Sequence, residues 1–196
     1  MNDALIIPVD DAITLRRLTD DDAGALFELA DKERAYLREW LTRRDIIESA
    51  GDAASFIASG SLCYETNGGF DAGIWFQGHL AGVLSLHPIN PEKLRTSIGG
   101  WLGREYQGMG VMTKCVCALL NFAFNDYGLK ELRIHCAVHN TRSRAVPERL
   151  GFRREVIIPQ SVEINGQLYD DVVYVMRSDS RSRPRVLADC LPDPSR

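Results

Sequence analysis

Residues 104–113, Arg-Glu-Tyr-Gln-Gly-Met-Gly-Val-Met-Thr, run straight into an apolar stretch that ends at Tyr127. Gly108 and Gly110 can take backbone angles closed to other residues, and neither has a side chain to keep a ligand off the main chain. Beyond them Met112, Val116, Leu119, Ala123 and Tyr127 recur at the spacing of one helical face, Cys115 and Leu120 widen it, and Gly128 supplies a stop. The first four amides of such a helix lack internal partners, and with the helix dipole they form a receptor for anions. The turn is therefore a candidate pyrophosphate cradle. A plain tight turn is the other reading of Gly-x-Gly. A kinase-type phosphate loop is excluded, because no Gly-Lys-Ser/Thr triplet follows the glycines.

Other residues with chemical potential are more scattered. Gly99-Gly100 interrupts an otherwise strand-like segment, and paired glycines there mark a bulge or a close approach by backbone or ligand. Asn140-Thr141-Arg142-Ser143 opens a short helix, with Asn140 placed as its N-cap. His135 and His139 fall in and at the end of a strand without a His-Glu-x-x-His helix, so no metal is expected. Asp170-Asp171 reads as a solvated or hydrogen-bonding pair of a hairpin in preference to a catalytic dyad. Cys115 and Cys117 lie about 200° apart around a helix, which suits buried small residues and not a shared metal.

The elements that must position these residues follow from periodicity. Ile13 to Leu18 alternates as a first strand, and Thr19 with Asp20, Asp21 and Asp22 starts a helix burying Leu26, Leu29 and Ala30 that fades near Lys32-Glu33. Residues 34–44 put Tyr36 and Trp40 on one helical face, packed on the core or lining a substrate site. A further helix is expected from Ile46 to about Ser59, with Ala54, Ile57 and Ala58 inward. Strands then follow at Leu62–Glu65 (weak), Phe70–Phe76, Leu80–Leu86, 95–102 and 131–138, with a hairpin turn at Gln77-Gly78-His79. Strand, glycine turn, helix and strand in that order make a β-α-β unit with parallel strands. Pro147 should distort the short helix at Ser143, whose carbonyl its ring crowds. Asn165-Gly166 joins a last hairpin of Val162–Ile164 and Leu168–Met176.

At 196 residues the chain fits one domain, 1–177, with residues 178–196, rich in Ser, Arg and Pro, as a flexible tail. The formal charge of -4 gives no global argument for nucleic acid or an anionic membrane, and no partner of either kind is expected. Apolar stretches fall short of the ~20 residues that span a bilayer, the acidic start is not a secretory signal, and the five cysteines lack zinc spacing. A reduced, cytoplasmic location is expected.

Ile98-Gly99-Gly100-Trp101-Leu102, Tyr106-Gln107-Gly108-Met109-Gly110, His139 through Val146 and Arg149-Leu150-Gly151-Phe152, in that order, resemble the GNAT superfamily of acyl-CoA N-acyltransferases, and within it the ribosomal-protein-serine N-acetyltransferase branch. The resemblance spans roughly residues 12–177. It implies an α+β (mixed α/β) fold of GNAT type, with a strongly bent mixed sheet of about six to seven strands, flanking helices and splayed central parallel strands. It implies acetyl-CoA as co-substrate, no metal, an amine acceptor that is a protein N-terminus or a small amine, and a homodimer, which is common in the branch. The pantetheine would pair like a strand with Trp101 and Leu102, and the pyrophosphate would lie on Gln107, Gly108, Met109, Gly110, Val111, Met112 and Thr113. Asn140 matches the asparagine that bonds the pantetheine arm. Tyr36, Trp40 and Trp75 are expected to line the acceptor site. One residue departs from the pattern: Glu105 stands where the family turn carries Gln or Arg, leaving Arg104 as a further cation for phosphate.

By the same resemblance Glu163 matches the proposed general base and Ser143 the serine that protonates or steers the leaving sulfur. A two-residue loop sets Glu163 opposite Leu168, where an apolar neighbour and burial would raise its pKa; an exposed hairpin glutamate is the alternative. For Ser143 the alternative is a first-turn hydroxyl of the helix. Deprotonating an α-amine of pKa ~8 at pH 7 costs about 1.4 kcal/mol, against about 4.6 kcal/mol for a lysine of pKa ~10.4, so a single modest base favours an N-terminus. The expected function is acetyl transfer from acetyl-CoA to a protein N-terminal α-amine. Small polyamines or amine antibiotics, a longer acyl chain, and a non-catalytic acyl-CoA sensor are the alternatives.

Overall fold

The computed structural model describes residues 5–66 and 68–178. Strands β1 (Ile6–Pro8) and β2 (Ile13–Arg17) are followed by helices α1 (Ala23–Lys32), α2 (Arg34–Leu37) and α3 (Ala50–Glu65). Then come β3 (Phe70–Phe76), β4 (His79–Leu86), β5 (Arg95–Leu102), α4 (Val111–Asn125), β6 (Glu131–Ala137), α5 (Thr141–Arg149), β7 (Arg153–Ile164) and β8 (Gln167–Arg177). These eight strands form one mixed sheet in the order β1-β2-β3-β4-β5-β6-β8-β7. Alternation along each strand divides the interior into two layers. Inward positions such as Leu15, Ile74, Leu84, Ile98, Ile134 and Tyr174 pack under α4, while Leu18, Leu80 and Val83 pack under α1 and α3 with Leu26 and Ile57.

Among the described residues the only parallel pair, joined by α4, is β5 with β6. Its register runs from Arg95↔Glu131 to Ile98↔Ile134 and stops, although β5 continues to Leu102 and β6 to Ala137. Meanwhile β5 stays paired with β4 through Gly82↔Leu102, and β6 stays paired with β8 through Ala137↔Asp171. Past Ile98 and Ile134 the sheet therefore forks, in keeping with the paired glycines of β5. Gly100 is obligatory for the near side of the fork, since a Cβ there would stand 2.5 Å from the Val83 carbonyl oxygen.

Several expectations are corrected. The sheet has eight strands among the described residues where about six to seven were expected, because three-residue β1 ends in a proline and carries no readable period. Leu62–Glu65 is not a strand but the last turn of α3, where the Thr66 hydroxyl donates to the Leu62 carbonyl at 3.0 Å. That helix starts at Ala50, four residues later than expected, because the Ser49 hydroxyl caps it by accepting from the Asp52 amide at 3.1 Å. Its buried face is Ala53, Ile57 and Gly60, leaving Ala54 and Ala58 exposed. Residues 34–44 are α-helical only through Leu37, with a single 3-10 turn at Arg43–Asp45. β7 is much longer than Val162–Ile164, and it tolerates Pro159 because its register shifts there, on the outer edge of the sheet. Of the expected tail, residues 179–196 lie outside the described residues.

Candidate active site

A cavity of about 1330 Å³ passes through the fork, with lining residues from both layers of the sheet. Pockets for one small ligand run to ~300–1,000 Å³, so this one has room for two reactants meeting end to end. On the α4 side it begins at the glycine turn. Gly108 and Gly110 have φ of 79° and 78°, and a Cβ on either would meet nothing within 4 Å, so the space above them is open. Gly110 caps α4, its carbonyl accepting from the Lys114 amide at 3.0 Å, which leaves the preceding amides of Val111, Met112 and Thr113 as first-turn donors.

Two arginines to which the sequence alone assigns no role bring charge to this end. Arg142 Nη1 donates to Gln107 Oε1 at 2.7 Å while Gln107 Nε2 donates to the Leu102 carbonyl at 2.9 Å, and Arg149 Nη1 donates to Thr113 Oγ1 at 3.2 Å. Arg142 and Arg149 both line the cavity. Arg104, expected to meet phosphate, instead donates from Nε to Glu33 Oε2 at 2.9 Å and does not line it. Glu105 has turned away as well. Its carboxylate accepts from Lys32 Nζ at 2.6 Å, and that bond holds it below the usual carboxylate range.

Trp101, Leu102, Gln107, Gly108, Gly110, Val111, Met112, Thr113, Asn140 and Ser143 all line the cavity. Met109 does not; it is half exposed beside the turn. Asn140 Oδ1 caps α5 by accepting from the Ser143 amide at 3.0 Å. The Ser143 hydroxyl lies 3.2 Å from Cys136 Sγ, and α5 continues through Pro147 to Arg149. Burial pushes the Cys136 thiol up to about 11, the Ser143 contact offsetting part of it, so this sulfur is neutral at physiological pH.

The far side of the fork, under α2 and α3, is polar. The Ser85 hydroxyl donates to Asp71 Oδ1, and His87 lies over Gly99, where an added Cβ would be 2.6 Å from Nε2. Burial raises the Asp71 carboxyl above its ordinary value, against the Ser85 hydrogen bond and the charge of His87. A carboxyl with a raised folded pKa contributes stability below its unfolded value of 3.8 and loses it as pH rises through the folded value. Asp71→Asn is therefore expected to gain stability relative to the parent as pH rises from 4 toward 7, read from urea midpoints; a pH-independent difference would contradict this.

His135 Nδ1 is 2.7 Å from Asp171 Oδ2, and both residues line the same chamber. Tyr36 and Trp40 line it too, Trp40 stacking on His139 at 5.6 Å between ring centroids. Trp75 does not, being covered by the Arg16 guanidinium at 4.4 Å. Glu163 does pair with Leu168, but both are exposed, and the neighbours Val162 and Ile164 are the residues that turn toward the cavity. Strand alternation thus carries Glu163 to the opposite face, and the buried carboxyl expected there is not formed. Among the described residues no group of three or more His, Cys, Asp or Glu is placed to hold a metal.

The family model of the acetyltransferase (GNAT) domain matches residues 12–153. A Bacillus subtilis protein named as a ribosomal N-acetyltransferase, YdaF, is 34% identical over 167 residues, 85% of this chain and 91% of that one. The ribosomal-protein-serine acetyltransferase of Escherichia coli is 26% identical over 89% of this chain and 98% of its own. Among solved structures, RimL, a ribosomal alpha-N-protein acetyltransferase with coenzyme A held in a disulfide to one of its cysteines, superposes with a TM-score of 0.85 at 28% identity, covering 88% of this chain and 98% of that one.

Proposed function

Since the chain belongs to the GNAT acetyltransferase family and is an N-acetyltransferase using acetyl-CoA, we propose that its acceptor is the N-terminal α-amine of a ribosomal protein. The observation that carries this reading is the cavity through the fork. One end offers helix amides and two arginines to a pyrophosphate, and the other offers a wide polar chamber with an aromatic wall at Tyr36 and Trp40. Such a chamber admits the end of a polypeptide, and the relatives named for ribosomal-protein acetylation point the same way.

In this reading the pantetheine arm pairs as an added strand with β5 beyond the fork, at Trp101 and Leu102, and Asn140 holds its amides. The thioester then sits at the fork beside Ser143, whose hydroxyl steers or protonates the departing sulfur. The sensor alternative loses its motive, because Glu105 is engaged with Lys32 and does not face the phosphate site. A small-amine acceptor is the second reading, favoured by the acidic Asp71 and Asp171 in the chamber, which suit a cation with more than one amino group.

A panel of N-terminal peptides and small amines, assayed for CoA release with mass analysis of products, separates the two. Peptides acetylated at the α-amine with kcat/KM well above any polyamine are the expected result, and the reverse order would replace the proposal by its rival. A cytoplasmic homodimer completes the proposal, with β7 and its exposed Val156, Ile157 and Ile158 as the available edge; a monomeric mass in the same preparation would remove that part.

A further inference from the structure

Acetyl transfer at this fork leaves one proton without a destination. The amine nitrogen forms a bond to the thioester carbonyl carbon, the carbon–sulfur bond breaks with its electron pair on sulfur, and the nitrogen must shed a proton to become an amide. Glu163 is on the wrong face of β7 to receive it. We propose that His135, held by Asp171, is the proton acceptor, a role that rests on the acetyl-transfer reading of the site.

Place is the first reason. Ile134↔Ile98 is the last pair of the parallel ladder, so His135 is the first residue of β6 beyond the fork. Ile134 and Cys136 point into the core beneath α4, and alternation turns His135 to the other face, into the acceptor chamber. The imidazole is therefore at the meeting point of the two halves and on the side from which the amine arrives. Its side chain keeps 44% of its exposure, so a ligand can reach it.

Orientation is the second. Asp171 lies on β8, opposite Ala137 in the ladder, and is only 8% exposed, so its carboxylate is fixed by the sheet. With Nδ1–H donating to Asp171 across 2.7 Å, the neutral ring carries its lone pair on Nε2, the nitrogen free to accept. A buried carboxylate that selects the tautomer and stabilises the imidazolium is the arrangement by which a histidine serves as general base in other acyl transfers. The proton received at Nε2 then passes to solvent or to the CoA thiolate, so that amine and thioester become amide and thiol with nothing left over. Asp171 acts through His135 and is a positioning residue.

The test uses the full chain and whichever amine the wild type acetylates fastest. His135→Ala should lower kcat by about 100-fold or more with the KM for acetyl-CoA within about twofold of wild type, and added imidazole should restore part of the rate. Asp171→Asn should lower kcat by about 10-fold or more, again without moving that KM, while Glu163→Gln stays near wild type. His135→Gln, which can keep the hydrogen bond to Asp171, serves if the alanine variant does not fold, and should show the same loss. Undiminished kcat in the His135 variants, or a loss that imidazole does not touch while Glu163→Gln is equally impaired, overturns the assignment. Wild-type protein that releases no CoA with any amine would instead remove the transferase reading beneath it.

Discussion

Gly110→Val should raise the KM for acetyl-CoA by about tenfold or more, while Gly78→Val should leave it unchanged, although the two cost similar stability. Both glycines sit in the left-handed region, at φ 78° and 83°, and a Cβ on either meets nothing within 4 Å. Each valine therefore costs only the local backbone strain, about 1–2 kcal/mol, or a fall in Tm of roughly 2–8 °C for a chain of this size. What differs is what the space is for. Gly78 is in the β3–β4 turn and does not line this cavity, whereas Gly110 caps α4 and borders the amides of Val111, Met112 and Thr113. A branched side chain there covers the donors that a pyrophosphate needs. Equal Tm losses with equal KM values would show that the turn is structural and that the anion lies elsewhere.

How much of this is legible in the sequence depends on whether a feature is local. The glycine turn, α4, the fork and the Asn140 cap are each written in a few adjacent residues, because left-handed glycines, helical period and capping are properties of short segments. Glu105 becomes intelligible only through Lys32, 73 positions away, and the phosphate-end arginines only once α5 is seen lying against the turn. In the sequence His135 is a strand histidine without metal-ligand spacing and Asp171 half of a hairpin pair; their partnership needs β6 and β8 to be neighbours, which no local period announces. Glu163 fails in the opposite way. Its opposition to Leu168 follows correctly from the two-residue turn, but pairing says which residues are opposite and not which face of the hairpin meets the core. Likewise the residues Leu62–Glu65 fit a short strand, yet a helix already started by Ser49 simply runs on through them.

The adjacent glycines of β5 should separate function from stability within one dipeptide. Gly100→Val places a Cβ 2.5 Å from the Val83 carbonyl oxygen and 3.1 Å from Leu84 Cα, both backbone atoms of the paired strand β4, which cannot move without opening the ladder. A loss of about 2–4 kcal/mol is expected, seen as a lower urea midpoint at unchanged slope. At Gly99 the atom in the way is the far end of a side chain, His87 Nε2 at 2.6 Å, and an imidazole can swing aside. Valine is also a good strand residue, so Gly99→Val should keep the parent's midpoint or exceed it. Yet its two methyl groups would occupy the waist of the cavity, one residue beyond the last β5–β6 pair, where amine and thioester must come within bonding reach. Misplacement by about 1 Å at such a point costs roughly 100-fold, so kcat/KM should fall by about that factor in a fully folded protein. If Gly99→Val were instead active and Gly100→Val alone impaired, the fork would be a structural bulge and the reaction would have to take place off the sheet.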